Sequence, residues 1–164
     1  MNNVKIKKAK IKDNMFLETE YVEMLPNSSK KDAKVSLTIP VHQDMKDAFA
    51  KLHVHLAILC DEVKTPSKKD LRTAEYEGFG VRGFSIGGSD EYEGVTISGL
   101  KEGTYGIVNL NTPFTKFSSD DYPFTSQLGE DIERCIYEVT EYLFNSKRAP
   151  EAQLEIEFEE ADLV

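Results

Sequence analysis

The sequence predicts an α+β protein: two βββα units whose antiparallel sheets pack against two amphipathic helices. Two observations carry that prediction. Short apolar/polar alternation of period two occurs in two groups of three segments, and each group is followed by a stretch with apolar residues at spacings of three and four. Nine of the ten glycines, at positions 78, 80, 83, 87, 88, 94, 99, 103 and 106, fall within the second group, as in a meander of short strands and tight turns.

Residues 3–12 form the first predicted strand. Val4 and Ile6 share a parity that Ala9 and Ile11 do not, so a β-bulge at Lys7 and Lys8 is expected to restore the register. Asp13 and Asn14 supply the turn into residues 15–24, where Met15, Leu17, Thr19 and Tyr21 alternate with Phe16, Glu18, Glu20 and Val22. Val35, Leu37 and Ile39 make a third strand ending at Pro40. From His42 to Val63 the period lengthens: Met45, Phe49, Leu52, Leu56, Leu59 and Val63 mark one amphipathic helix of about six turns, stopped before Pro66. Residues 67–77, charged and weakly patterned, read as a linker or a mobile loop between the halves. FGVRGFSI, GVTISGL and YGIVNLN then form the second three-stranded unit. The closing helix carries Leu128, Ile132, Cys135, Ile136, Val139, Tyr142 and Leu143, with Thr125 or Ser126 as the expected cap and Lys147 and Arg148 complementing its C-terminal dipole. Residues 3–62 and 78–147 would be a pseudo-repeat inside one domain of residues 1–148, followed by an acidic tail, 149–164.

Charge is unevenly spread over the 164 residues. Lys and Arg total 20 against 29 Asp and Glu, a net charge of −9. From position 149 there are six acids and no cation, which leaves 20 cations against 23 acids, a net −3, before it. Hydrophobic residues make up 40% of the chain, enough for a core and too many for wholesale disorder. No window approaches the roughly 18 consecutive apolar residues of a membrane span. The two cysteines, Cys60 and Cys135, lie within apolar helical patterns and suit a reducing compartment, so the expected location is the cytoplasm.

Two clusters of cations stand out: Lys5, Lys7, Lys8, Lys10 and Lys12 on the first strand, and Lys64, Lys68, Lys69 and Arg72 in the loop after the first helix. A lysine-rich strand is either an edge protected from aggregation or a stripe that follows a polyanion. Strand alternation sets Phe79 and Val81 on one face and Arg82, Phe84 and Ile86 on the other, so Arg82 and Phe84 are candidates to grip a single strand, one by charge and one by stacking. Other motifs carry less. Gly78, Gly80 and Gly83 match a dinucleotide-binding string, but a strand follows where that motif needs a helix, and the glycines better suit a bulge or a close approach. His53 and His55 diverge by about 200° on a helix, no zinc-ligand spacing occurs, and no carboxylate pair stands out as a general acid and base. The expectation is a non-enzymatic protein without metal or cofactor.

Gln153, Leu154, Ile156 and Phe158 follow Pro150 in a segment that resembles the bacterial sliding-clamp-binding peptide, a glutamine followed by alternating apolar anchors. The same alternation also suits a strand that completes a sheet edge. In architecture the two βββα units resemble the Whirly and PC4-like single-stranded-DNA-binding folds, which have four strands per unit. The strings VRGFSIGGSDEYEGVTISG, NLNTPF and CIYEVTEYLFNSKRAPEAQLEIEF resemble a family of small proteins from tailed phages and prophages of gut bacteria. That resemblance implies a viral origin and raises the expectation of a DNA-metabolism factor.

The expected function is therefore a single-stranded nucleic-acid-binding accessory protein of phage DNA replication or recombination. Its partners would be single-stranded DNA and, through the tail, a host sliding clamp or other replication protein; self-association is allowed. The alternative is a phage protein-interaction module or inhibitor of a host protein, whose acidic surface would engage a basic partner face.

Overall fold

A computed structural model describes residues 3–72 and 76–150. The chain is α+β, with one antiparallel seven-stranded sheet in place of two separate sheets. Strands β1 (Val4–Lys12), β2 (Phe16–Met24) and β3 (Lys30–Pro40) are followed by helices α1 (Gln43–Ala50) and α2 (His53–Leu59). Strands β4 (Phe79–Gly87), β5 (Gly94–Gly103), β6 (Gly106–Asn111) and the short β7 (Thr115–Lys116) precede helix α3 (Thr125–Phe144). The sheet order is β3-β2-β1-β4-β5-β6, with β7 beside β5. Each three-stranded meander is thus contiguous in space, and β1 and β4 join them at the centre.

Local chemistry explains the register. Asp13 and Asn14 both take positive φ, in a turn closed by the Met15 N–H donating to the Lys12 carbonyl at 3.0 Å. The expected bulge lies between Ile6 and Lys8, and it keeps Ile6 and Ala9 both buried while Lys5 and Lys8 face out. A second bulge lies between Val81 and Gly83, among the glycines that suit a bulge or a close approach. Gly83 is required there: a Cβ would lie 2.3 Å from the Ala9 carbonyl oxygen and 2.8 Å from the Lys10 Cα, so only glycine lets β4 approach β1.

The helices pack on one face of the sheet around a single cluster of buried residues that includes Ala9, Leu17, Phe49, Leu56, Phe84, Ile97, Ile132 and Val139. The predicted six-turn helix is instead broken in two. The Leu52 N–H donates to Phe49 rather than to Ala48, tightening one turn, and the His53 ring nitrogen engages the Ala50 carbonyl that an unbroken helix would have given to residue 54. Helix α3 spans the expected residues, but Phe124 precedes it without a side-chain cap, and the Thr125 hydroxyl donates to the Ser119 carbonyl at 2.9 Å. Tyr142 on α3 donates its hydroxyl to the Ile39 carbonyl at 2.7 Å, tying the end of β3 to the helix layer. Lys147 bridges Asp44 on α1 and the buried Glu138 on α3, at 2.8 and 2.9 Å.

Residues 67–72 are not a simple linker, because Leu71 is buried and Arg72 pairs with Asp131 on α3. Among the described residues no helix is long and apolar enough to cross a membrane.

Candidate nucleic-acid interface at the parting of the central strands

Strands β1 and β4 pair only over Lys8, Ala9 and Lys10, opposite Ser85, Phe84 and Gly83. Beyond that seam, Ile11 and Lys12 on one strand and residues 79–82 on the other part around a cleft of about 920 Å³. Its floor is apolar and aromatic: Phe49 and Ala50 from α1, Phe79 and Val81 from β4, and Leu100 from β5. Its rim is cationic, with Lys10, Lys12, Lys46, Lys51 and Arg82 against the carboxylates of Asp13 and Asp47. His53 lines it as well.

Several of these side chains are held in place. Arg82, the residue at the β4 bulge, reaches over β5 to donate from Nη1 to Asn109 Oδ1 at 2.6 Å, which fixes the guanidinium on the face away from the helices. Lys10 and Lys12 lie 3.6 and 3.9 Å from the two carboxylate oxygens of Glu18, partly solvated pairs of small net energy. Lys46 and Lys51 make no ion pair among the described residues. Phe79 has the Lys101 ammonium 5.5 Å above its ring and meets Tyr76 edge-on; Tyr76 in turn meets His53. The cleft therefore combines an aromatic wall with cations from three elements, the two kinds of group that hold a base and a phosphate.

The sequence-predicted residues are divided by this geometry. Lys10, Lys12 and Arg82 converge on the cleft. Lys8 lies opposite Glu20 on the helix-free face, Lys5 is paired with Glu93 near the other end of β1, and Lys7 sits at the bulge. Phe84 is a correction. It is 2% exposed and packs against Phe49 at 5.6 Å between ring centroids, because the Val81/Gly83 bulge puts Arg82 and Phe84 on opposite faces. No base can stack on it, and Phe79 is the ring that faces the cleft. Gln153, Leu154, Ile156 and Phe158 lie outside the described residues. Lys46, Lys51 and His53 were missed, because on a helix they read as the solvated side of an amphipathic pattern, and only the packing of the helix layer across the opening brings them to the cleft.

A second cluster of titratable groups is closed off. His55, on α2, has no exposed surface; its Nε2 lies 2.8 Å from Asp131 Oδ2 and its Nδ1 2.6 Å from the Tyr122 hydroxyl. Arg72 Nη1 donates to both Asp131 oxygens at 2.8 Å. Burial opposes the charge on Asp131, but the hydrogen bonds from His55 and Arg72 outweigh it and hold the carboxyl below its ordinary pKa. Burial, reinforced by Tyr76 and Asp131, raises the Tyr122 phenol, so it stays protonated. An ionised Asp131 only accepts, so Nε2 carries a proton; in the neutral ring Nδ1 then accepts from Tyr122. The His55 ring nitrogens and both Asp131 oxygens have partners inside the protein, so the cluster clamps α2, the 67–72 loop and α3 together, with only the Arg72 side chain partly open to solvent. Cys135, also buried, has its thiol pushed up by burial first and by Asp131 and Glu138 next. Among the described residues no group of His, Cys, Asp and Glu side chains is placed to hold a metal.

Comparison of the chain with protein-family models, with curated proteins and with solved structures finds no match.

Proposed function

We propose that this chain binds single-stranded nucleic acid, with the sugar-phosphate backbone on the cationic rim of the β1/β4 cleft and a base against Phe79. The observation that carries this reading is the convergence of Lys10, Lys12, Lys46, Lys51 and Arg82 on one apolar-floored opening in a chain of net charge −9. A duplex is the poorer fit, because a base reaches Phe79 only when it is unpaired. The adjoining helix-free face mixes charges, with Glu18 and Glu20 opposite Lys10 and Lys8, so the cleft rather than the whole pleated surface is the binding element.

In this reading the protein is an accessory factor of phage DNA replication or recombination, and the segment containing Gln153, Leu154, Ile156 and Phe158 recruits a host sliding clamp or another replication protein. The two βββα halves are read as a pseudo-repeat, a reading supported by the order β3-β2-β1 beside β4-β5-β6 and by the helices that follow each meander.

The test is fluorescence anisotropy with a labelled single-stranded oligonucleotide over a range of salt. Five rim cations correspond to a log–log salt slope of at most about −3.5 for a single strand. The triple variant Lys12→Glu, Lys46→Glu, Arg82→Glu should lose binding while keeping the native circular dichroism spectrum. Undiminished binding by that variant, or no binding by the wild-type chain at low salt, rejects the assignment.

A further inference from the structure

The two edges of the sheet are built differently. Strand β3 carries Lys30, Lys31, Asp32 and Lys34 and ends in Pro40, the devices that keep an edge from pairing. Strand β6 has none of them. Residues 103–115 contain no charged side chain in a chain that is 30% charged. Along that edge Tyr105 is 102% exposed at the hairpin tip, Ile107 63% and Val108 49%. Alternate residues of an outermost strand turn their N–H and C=O groups away from its one neighbour, and no other described element pairs with β6.

We propose that β6 is the contact through which two copies of this chain join, edge to edge and antiparallel about a twofold axis. The occupant follows from charge. Two copies of a chain at −9 repel overall, and a neutral strand adds nothing to that repulsion, because in any register it sets no like charges opposite one another. Strand β3 against its own copy would oppose lysines with lysines or leave them unpaired. Ile107 and Val108 lie on opposite faces of β6, so an antiparallel copy supplies each face of the join with apolar contact. The antiparallel sense also carries the Tyr105 tip toward the half-exposed Phe114 beyond the far end of the other copy's β6. A six-residue strand offers a small area, at the low end for stable interfaces, so the dimer dissociates in the micromolar range. This inference is independent of the nucleic-acid reading.

Sedimentation velocity of the full chain, from sub-micromolar to high-micromolar concentration, with hydrogen exchange on the same samples, tests it. The expected result is a mass that doubles with concentration and protection of β6 amides that rises in step. The double variant Ile107→Lys, Val108→Lys alters two exposed side chains; it should keep the wild-type Tm and stay monomeric. Three results overturn the proposal: a monomer at every concentration, a dimer that persists in the double variant, or β6 protection that is independent of concentration. If that last protection also vanishes in an Ile156→Lys, Phe158→Lys chain, the edge belongs to the chain's own C-terminal residues.

Discussion

Replacing Asp131 by Asn removes one charge and almost no volume, so its cost measures the buried clamp rather than packing. Asp131 accepts three hydrogen bonds at 2.8 Å, two from Arg72 and one from His55, and its side chain is 6% exposed. The amide keeps one acceptor and turns its NH₂ toward a donor on His55 or Arg72, so at least one contact becomes donor against donor. A lost hydrogen bond to a charged group costs about 1.5–3 kcal/mol. Arg72 is half-solvated and can turn to water, so its share is discounted. The sum is about 2–4 kcal/mol at neutral pH, below the ~3–5 kcal/mol of a fully buried broken pair. Because the folded-state pKa of Asp131 is depressed, this stability is complete above the ordinary carboxylate range and is lost as pH falls below about 4 through the folded value. Equilibrium urea unfolding of both chains between pH 3 and 7 reads the difference. A gap below about 1 kcal/mol at neutral pH, or one that fails to narrow on acidification, refutes the clamp.

Four further outcomes are expected. Phe84→Ala, at a buried ring packed on Phe49, costs about 3–5 kcal/mol in urea unfolding; a cost near zero would restore Phe84 to the surface. Gly83→Ala forces a methyl against the Ala9 carbonyl and costs about 1–3 kcal/mol by the same measurement. Arg82→Ala leaves Tm unchanged and flattens the salt slope of oligonucleotide binding by about 0.7, whereas a Tm drop would mark the Arg82–Asn109 bond as structural. Native Cys60, half-buried, reacts with a thiol reagent long before Cys135, which reacts only on unfolding; equal rates would contradict the buried placement.

Legibility in the sequence followed locality. Both meanders, the bulge at Lys7, the Asp13-Asn14 turn and helix α3 were readable, because alternation, helical period and turn chemistry are properties of neighbouring residues. The break between α1 and α2 was hidden, since the apolar stripe from Met45 to Leu59 runs through it undisturbed and the His53 ring, read as a side chain of no consequence, takes over a backbone bond. The glycines of β4 signalled a bulge, but not its place at Arg82. The bulge inverts the face of every residue after it, and that one slip moved Phe84 from a proposed stacking surface into the core. The site was half legible: Lys10, Lys12 and Arg82 stood out as cations, whereas Lys46, Lys51 and Phe79 joined them only through the packing of α1 across the opening. The tie between Arg72 and Asp131 spans 59 positions, and no local pattern announces it.

The three-residue seam between β1 and β4 has a mechanical consequence. A sheet of this width would ordinarily be stiff along its whole length, yet here two rigid plates share a weld only three pairs long. The angle between the plates rests on the layer beneath them, where α1 and α2 pack on β4, Phe49 against Phe84 among them, while α3 packs on β1. Prising the open end apart loads that packing and leaves the rungs of each plate intact, so the molecule yields there like a clothes-peg, with its spring on the reverse side.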